Sequence, residues 1–359
     1  MALTRGPPCA PDGALLMGAE LYRHLNEYFV SHLTNVRLAA EELSDEPLLN
    51  YYTKEWTRYT TGAQYVDRLL QYLNRHWVKR EKDEGKKNIY PVYTLALVQW
   101  RKVFYEQVQS NNKLSTAVLR QIEKERSGNV IETQLVKNVI DSLVALGLDE
   151  TDAKRQNLDV YRSAFEVPFI AATELYYRAE SEQFIADNSV TEYMKKAEAR
   201  LSEEDRRVES YLHHNTKKAV SDLSRSLPGR KLTHVVTLQL ITKCEDVLVK
   251  SHAVLMQEEF QRLLDQDRED DLHRMYALLA RIPGGLDPLR DRFEAHVRKS
   301  GQDNVQKNVG DGETLDPKVY VEALLTVHKK NAELVSSAFK GEPGFVASLD
   351  KVSIPRPRR

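Results

Sequence analysis

An all-α fold is what this sequence predicts, and three observations carry that expectation. Apolar residues recur at steps of three and four through most of the chain, the period of one helical face. Glycine (15) and proline (13) are sparse and fall mostly between the periodic segments, whereas a sandwich or barrel would need frequent turns. No stretch alternates apolar and polar residues as a half-buried strand would, and no βαβ pattern occurs.

Taken in order, residues 1–13 hold Pro7, Pro8 and Pro11 and read as a disordered start. Helical period begins at Leu15 and runs through Leu21, Leu25, Tyr28, Phe29, Leu33 and Val36. Ser44-Asp45-Glu46-Pro47 offers cap residues with proline near the first helical position. The helix it opens carries Leu48, Leu49, Tyr52 and Trp56. A further helix is expected from about Gly62 to Glu84, with Tyr65, Val66, Leu69, Leu70, Leu73 and Trp77 on its apolar stripe. Another opens near Pro91 and is apolar over Tyr93–Phe104. Leu114, Val118 and Ile122 form the next, which ends at Ser127-Gly128. Leu135, Val139, Leu143 and Leu146 follow, closed by Gly147 at a C′ position.

Leu158–Asp187 is a long, aromatic-rich helical segment. Ser189 with Glu192 makes a capping box, and Glu192/Lys196 and Glu203/Arg207 are favourable pairs on the helix it starts. Residues 219–238, with Pro228-Gly229 and several Ser and Thr, read as an inserted loop. Period returns with Ile241, Cys244, Leu248, Leu255, Phe260 and Leu264, then Leu272–Ile282 and Leu289–Val297. Asp316-Pro317 starts one more helix, with Val321, Leu324, Leu325, Leu334 and Val335. Pro355 and Pro357 stop any helix in the tail. Leu158-Asp-Val-Tyr161 and Leu315-Asp-Pro-Lys-Val-Tyr320 open two helices alike, a faint echo of stacked multi-helix units.

Composition narrows the function. Across 359 residues, 52 Lys and Arg nearly cancel 53 Asp and Glu, so no global field draws nucleic acid or an anionic membrane. Cys9 and Cys244 are the two cysteines, too few to staple a chain of this size, which points to a reducing compartment. Cys244 falls in a helical apolar pattern, where a buried inert thiol is expected. No apolar run spans a bilayer, and the amino terminus lacks a secretory h-region. The expected location is the cytoplasm and the nucleus.

Nothing in the sequence reads as a reaction centre. There is no HExxH, CxxC, GxGxxG or Walker-type loop. His213-His214 are adjacent, so on a helix they point apart. Gly284-Gly285 after Pro283 reads as a turn, and the carboxylates are scattered over charged faces. No catalytic, cofactor-binding or metal-binding residue is assigned, and no cofactor is expected.

The stretch Tyr72-Leu-Asn-Arg-His-Trp-Val-Lys-Arg-Glu-Lys-Asp-Glu-Gly85 begins as an amphipathic helix, turns basic and stops at a glycine. Thr191-Glu-Tyr-Met-Lys-Lys-Ala-Glu-Ala-Arg-Leu201 lies in a long charged helix. Leu95–Arg101, Ile122–Gly128, Leu146–Glu150, Val208–His213, Asp271–Tyr276, Val327–Lys330, Ser337–Phe339 and Phe345–Lys351 add ordered stretches. Together these resemble the cullin family, scaffold subunits of multi-subunit ubiquitin ligases, in its cullin-1 branch. The match runs over Gly18–Lys217 and Leu240–Lys351.

The resemblance implies an elongated curved rod of stacked five-helix cullin repeats. It places a partial first repeat at 14–87, a second at 88–218, the inserted loop at 219–238, a third at 239–351 and a disordered tail at 352–359. It also implies a SCF-type scaffold without catalytic activity, which holds a Skp-type adaptor with its F-box receptor at the tip of the first repeat. The helix pair that opens that repeat in the family is not matched, nor is the carboxy-terminal half with its RING-binding region. The expectations are therefore weakened adaptor binding and no RING subunit.

On this resemblance the helix from Thr60 to Lys82 supplies half of the adaptor surface. Leu69, Leu70, Leu73 and Trp77 are expected in the core. Tyr65, Arg68, Tyr72, Arg75, His76 and Lys79 are the candidate contact residues, Tyr and Arg being common interface anchors. The plain competing reading is a solvated face of snorkelling side chains. Lys79-Arg80-Glu-Lys82 with Lys86-Lys87 reads as a solvated helix end rather than a phosphate site, because Glu81, Asp83 and Glu84 dilute it. Two other functions stay open at this point, a helical-rod tethering protein and an all-α enzyme.

Overall fold

The computed structural model describes residues 11–148, 157–211, 235–308 and 317–353, and among them every regular element is helical. Cys9, His213-His214 and most of the expected start, inserted loop and tail lie outside the described residues. Where those irregular segments are described they are helical instead: 11–13, 235–238 and 352–353 all continue neighbouring helices, whose buried faces recruit them despite weak local period. Two compact units result, Met1–Ala172 with Arg207–Val236, and Thr173–Arg206 with Thr237–Arg359.

The first unit holds α1 (Pro11–Ala40), α2 (Asp45–Leu69), α3 (71–83), α4 (92–108), α5 (Lys113–Arg126), α6 (Thr133–Ala145) and the start of α7 (159–187). Helix α2 packs on α4, α5 and α6, and α1 packs on α4. At the centre sits Trp100, fully buried. Its ring lies 5.8 Å from Tyr52, 5.3 Å from Trp56, 5.1 Å from Tyr59 and 4.5 Å from Phe104. The tyrosine hydroxyls are not stranded in this core: Tyr52 shares a hydrogen bond with Ser142 at 2.9 Å, and Tyr59 donates to the Ala96 carbonyl at 3.0 Å. A satisfied hydroxyl offsets the cost of taking its polar end out of water, so a large ring can be buried.

Helix ends follow sequence cues closely. Gly85 at φ 80° and Gly128 at φ 88° occupy the left-handed region. Behind each, paired backbone bonds close the helix: Gly85 to Lys82 and Lys86 to Glu81, then Gly128 to Glu125 and Asn129 to Lys124. That is the Schellman arrangement. Gly147 differs. Its φ is not left-handed; a Cβ there would collide with the Asn157 carbonyl, and Asn157 donates back to the Gly147 oxygen at 3.1 Å. Gly147 does stand at the expected C′ position, after the Leu146 C-cap, with its amide donating to the Val144 carbonyl at 3.1 Å, but glycine is needed there for close approach rather than for a left-handed φ.

Two boundaries move. Gly62 does not start a helix; α2 passes through it, with Tyr59 and Ala63 buried beside it, and their packing outweighs the roughly 1 kcal/mol that a mid-helix glycine costs. The break comes at Leu70 instead, at φ −98° and ψ 24°. In α1 it is Tyr22 that is buried, while Tyr28 is 62% exposed. Tyr22 donates to the Tyr90 carbonyl at 3.1 Å and accepts from the Tyr90 amide at 2.9 Å.

The second unit holds the rest of α7, most of α8 (Val190–Tyr211), and α9 (Val235–Leu248), α10 (Ala253–Asp265), α11 (Glu269–Leu279), α12 (Asp287–Asn308), α13 (Pro317–Ser337) and α14 (Pro343–Ser353). Helix α12 packs on α10, α13 and α14. The core is phenylalanine-rich: Phe339 stacks on Phe345 at 4.2 Å, and Phe293 meets them at 5.8 and 5.5 Å. Cys244 is buried, as expected. Of the residues assigned to the α13 stripe, Val335 is buried, whereas Val321 and Leu325 are exposed and Ala323 and Asn331 are buried instead. Ser189 Oγ accepts from the Glu192 amide at 3.3 Å, the first half of the capping box.

Candidate docking face

Helix α3 is shaped by its buried side. Leu73, Trp77 and Val78 are 6%, 9% and 2% exposed. The Trp77 indole lies 4.9 Å from the Tyr22 ring and presses on Gly18, where a Cβ would sit 2.6 Å from Trp77 Cδ1. Residues Asn74–Val78 take π-helical form, a widened turn that recurs at functional positions.

The outer side is the opposite. Tyr65, Arg68, Tyr72, Arg75, His76 and Lys79, the residues singled out from the sequence, are all exposed. They follow a helical stripe across the end of α2 and along α3. Leu69, expected in the core, is 81% exposed and joins them beside Tyr65 at 61% and Tyr72 at 60%. The reason is geometric. Val66, Leu70, Leu73 and Trp77 form one stripe, and Tyr65, Leu69, Tyr72 and His76 form a second, one residue out of phase. Periodicity marks both; only packing on α1 decides which turns inward.

The face is apolar and positive together. The Tyr72 and His76 rings meet at a tilt of 37° with centres 4.2 Å apart, and the Arg68 guanidinium lies 6.0 Å from the Tyr65 ring centre. Among the described residues, Arg68, Arg75 and Lys79 make no ion pair. Asp67 is the sole carboxylate in 64–80, and its Oδ1 is turned to the backbone of α4, accepting the Tyr93 amide at 3.1 Å. Large exposed aromatic and aliphatic groups beside unpaired cations suit a partner surface that is apolar at its centre and acidic around it.

The basic run beyond this face is a closed helix end. Glu81 is buried, bonded to Lys86 at 2.5 Å and to Arg80 at 3.1 Å. The Lys86 hydrogen bond leads in holding the Glu81 carboxyl below its usual range. Arg80 and Lys86 are thus occupied by the carboxylates Glu81 and Glu84 of the same helix end. Among the described residues no cluster of His, Cys, Asp or Glu is placed to hold a metal ion, and no helix is long and apolar enough to cross a membrane.

A family model described as the Cullin alpha solenoid domain matches residues 12–353. The chain is 44% identical over 345 residues to Cullin-1 of Dictyostelium discoideum and 39% identical over 353 residues to Cullin-1 of Caenorhabditis elegans. Each alignment covers 96% of this chain and 42% of the relative. Cell division control protein 53 of Saccharomyces cerevisiae is 29% identical over 359 residues, covering 94% of this chain and 41% of that protein. The chain thus spans well under half the length of the curated relatives it matches.

Proposed function

This chain belongs to the cullin family, and from that membership we propose that it serves as scaffold in a SCF-type ubiquitin ligase, holding a Skp-type adaptor with its F-box receptor on the α2–α3 face. Its work is geometric. The α2–α3 face fixes where a substrate receptor stands, and proximity rather than reactive side chains raises the rate of transfer. The chain itself makes and breaks no bond in this account, and it acts in the cytoplasm and nucleus.

The observation that carries the reading is the exposed stripe of Tyr65, Leu69 and Tyr72 flanked by unpaired Arg68, Arg75 and Lys79. Tyr and Arg anchors with an aliphatic centre are what concentrated binding energy needs. The tethering and enzyme readings have no comparable observation behind them. Size-exclusion chromatography of the whole chain with a purified Skp-type adaptor bound to an F-box protein tests the assignment. A weak one-to-one complex is expected, formed at tens of micromolar and largely dissociated at micromolar concentration, in line with the weakened binding read from the sequence. Separate elution at tens of micromolar would refute it.

A further inference from the structure

The docking face is interrupted in its middle. Leu70 leaves helical geometry, with Tyr65, Arg68 and Leu69 before it and Tyr72, Arg75, His76 and Lys79 after it. The backbone ladder still crosses the break, since Leu70 donates to the Val66 carbonyl at 2.9 Å and Asn74 to the Leu70 carbonyl at 3.2 Å. The bend at Leu70 therefore decides whether the two groups of side chains present one surface or two.

Two half-buried polar residues straddle that bend. Asn74 Nδ2 donates to Asp67 Oδ1 at 2.9 Å, joining the last turn of α2 to α3. Both side chains then reach the same third element. Asp67 Oδ1 also accepts the Tyr93 amide at 3.1 Å, and Asn74 Oδ1 accepts the Val92 amide at 2.9 Å. Helix α4 opens behind Pro91, which supplies no side-chain cap, so its first amides need outside acceptors. Asp67 and Asn74 provide them. The anchor is firm, because Val92, Leu95 and Ala96 are 0%, 3% and 0% exposed.

We propose that Asp67 and Asn74 are positioning residues for the docking face: their mutual hydrogen bond, tied to the first turn of α4, fixes the bend at Leu70 and keeps Tyr65, Arg68 and Leu69 in register with Tyr72, Arg75 and His76. What the face binds rests on the function proposed above; the geometric claim stands on these four hydrogen-bonding groups. Asparagine at 67 would still present an Oδ1 acceptor, whereas alanine at either position opens the clasp.

The test uses the whole chain with Asn74→Ala, Asp67→Ala and the conservative Asp67→Asn, plus Ile140→Val as a core-weakened control in the same unit. Amide hydrogen exchange and titration with the adaptor–F-box complex are both read. Asn74→Ala and Asp67→Ala should speed exchange at residues 66–79 and at Val92 and Tyr93 about tenfold or more, and weaken binding by a similar factor. Asp67→Asn should stay within threefold on both. Ile140→Val should lower the melting temperature while leaving affinity within twofold. Unchanged exchange in Asn74→Ala overturns the clasp, as does an affinity loss in Ile140→Val equal to that of Asn74→Ala. If the unaltered chain binds no adaptor, the docking reading fails, and the exchange measurement alone still decides the clasp.

Discussion

Helices α3 and α8 are both rich in charge, yet the molecule uses their charges in opposite ways. On α8, Arg200 grips Glu180 of α7 at 2.6 Å and Glu203 at 2.8 Å. Lys196 reaches the same Glu180 at 3.1 Å instead of the expected Glu192, and Glu198 takes Arg274 of α11 at 2.8 Å. On the outer stripe of α3, Arg75 and Lys79 have no such partner among the described residues. One helix spends its charge holding neighbours; the other keeps it facing solvent beside exposed rings. Charge density alone does not separate the two uses. What separates them is whether an acidic side chain from another element comes within reach.

Breaking the contrast at α3 should give the largest effect. The double variant Arg75→Glu/Lys79→Glu reverses the sign of the face, and adaptor affinity should fall at least about a hundredfold, roughly 3 kcal/mol. Its melting temperature should stay near that of the unaltered chain, because both side chains are exposed and make no ion pair among the described residues. Loss of both binding and fold would mean that these residues hold structure after all.

A buried charge with a poor partner makes the next case. Glu166 is 6% exposed at its side chain, with Arg162 at 3.7 Å. Burial pushes its carboxyl up to about 7 from 4.5, against the pull of Arg162. The folded state then keeps a proton that the unfolded state has released. The stability associated with this site is full below about pH 4.5 and is lost as pH rises to about 7. Glu166→Gln should therefore stabilise the protein at pH 7.5 by on the order of 1–3 kcal/mol and flatten that slope. Denaturant melts at pH 5 and 7.5 measure it; an unchanged slope would show that Glu166 stays ionised.

The corresponding change on α8 should be smaller and of opposite sign. Arg200→Ala removes the clamp on Glu180 and Glu203 and should cost about 1–2 kcal/mol, since the pair is partly buried, while adaptor affinity stays within twofold. Salt should produce the least effect. Raising it from 0.05 to 0.5 M should weaken adaptor binding several-fold through the exposed cations, yet barely move the melting temperature.

The fold was largely legible in the sequence because helical period and glycine-marked ends are local signals. Gly85 and Gly128 end their helices where they were expected to, by the backbone bonds their left-handed φ permits. Gly62 misled because its cue is also local, while the force that carries α2 through it is burial against α4, α5 and α6. Within the candidate site, the polar members were legible as outward residues, since burying Arg68, Arg75 or Lys79 would demand a partner. Leu69 was not, because two apolar stripes share one period. Asp67 and Asn74 were invisible for another reason: their role depends on amides at Val92 and Tyr93, which only the folded chain brings close.

In this reading α2 and α3 display one stripe for a partner to grip. Isothermal titration of the whole chain with the Skp-type adaptor bound to an F-box protein, run beside the Tyr72→Ala variant, tests it most directly. Saturable one-to-one binding that weakens tenfold or more in the variant is the expected result. Equal affinity in the two chains, at equal melting temperature, would contradict it.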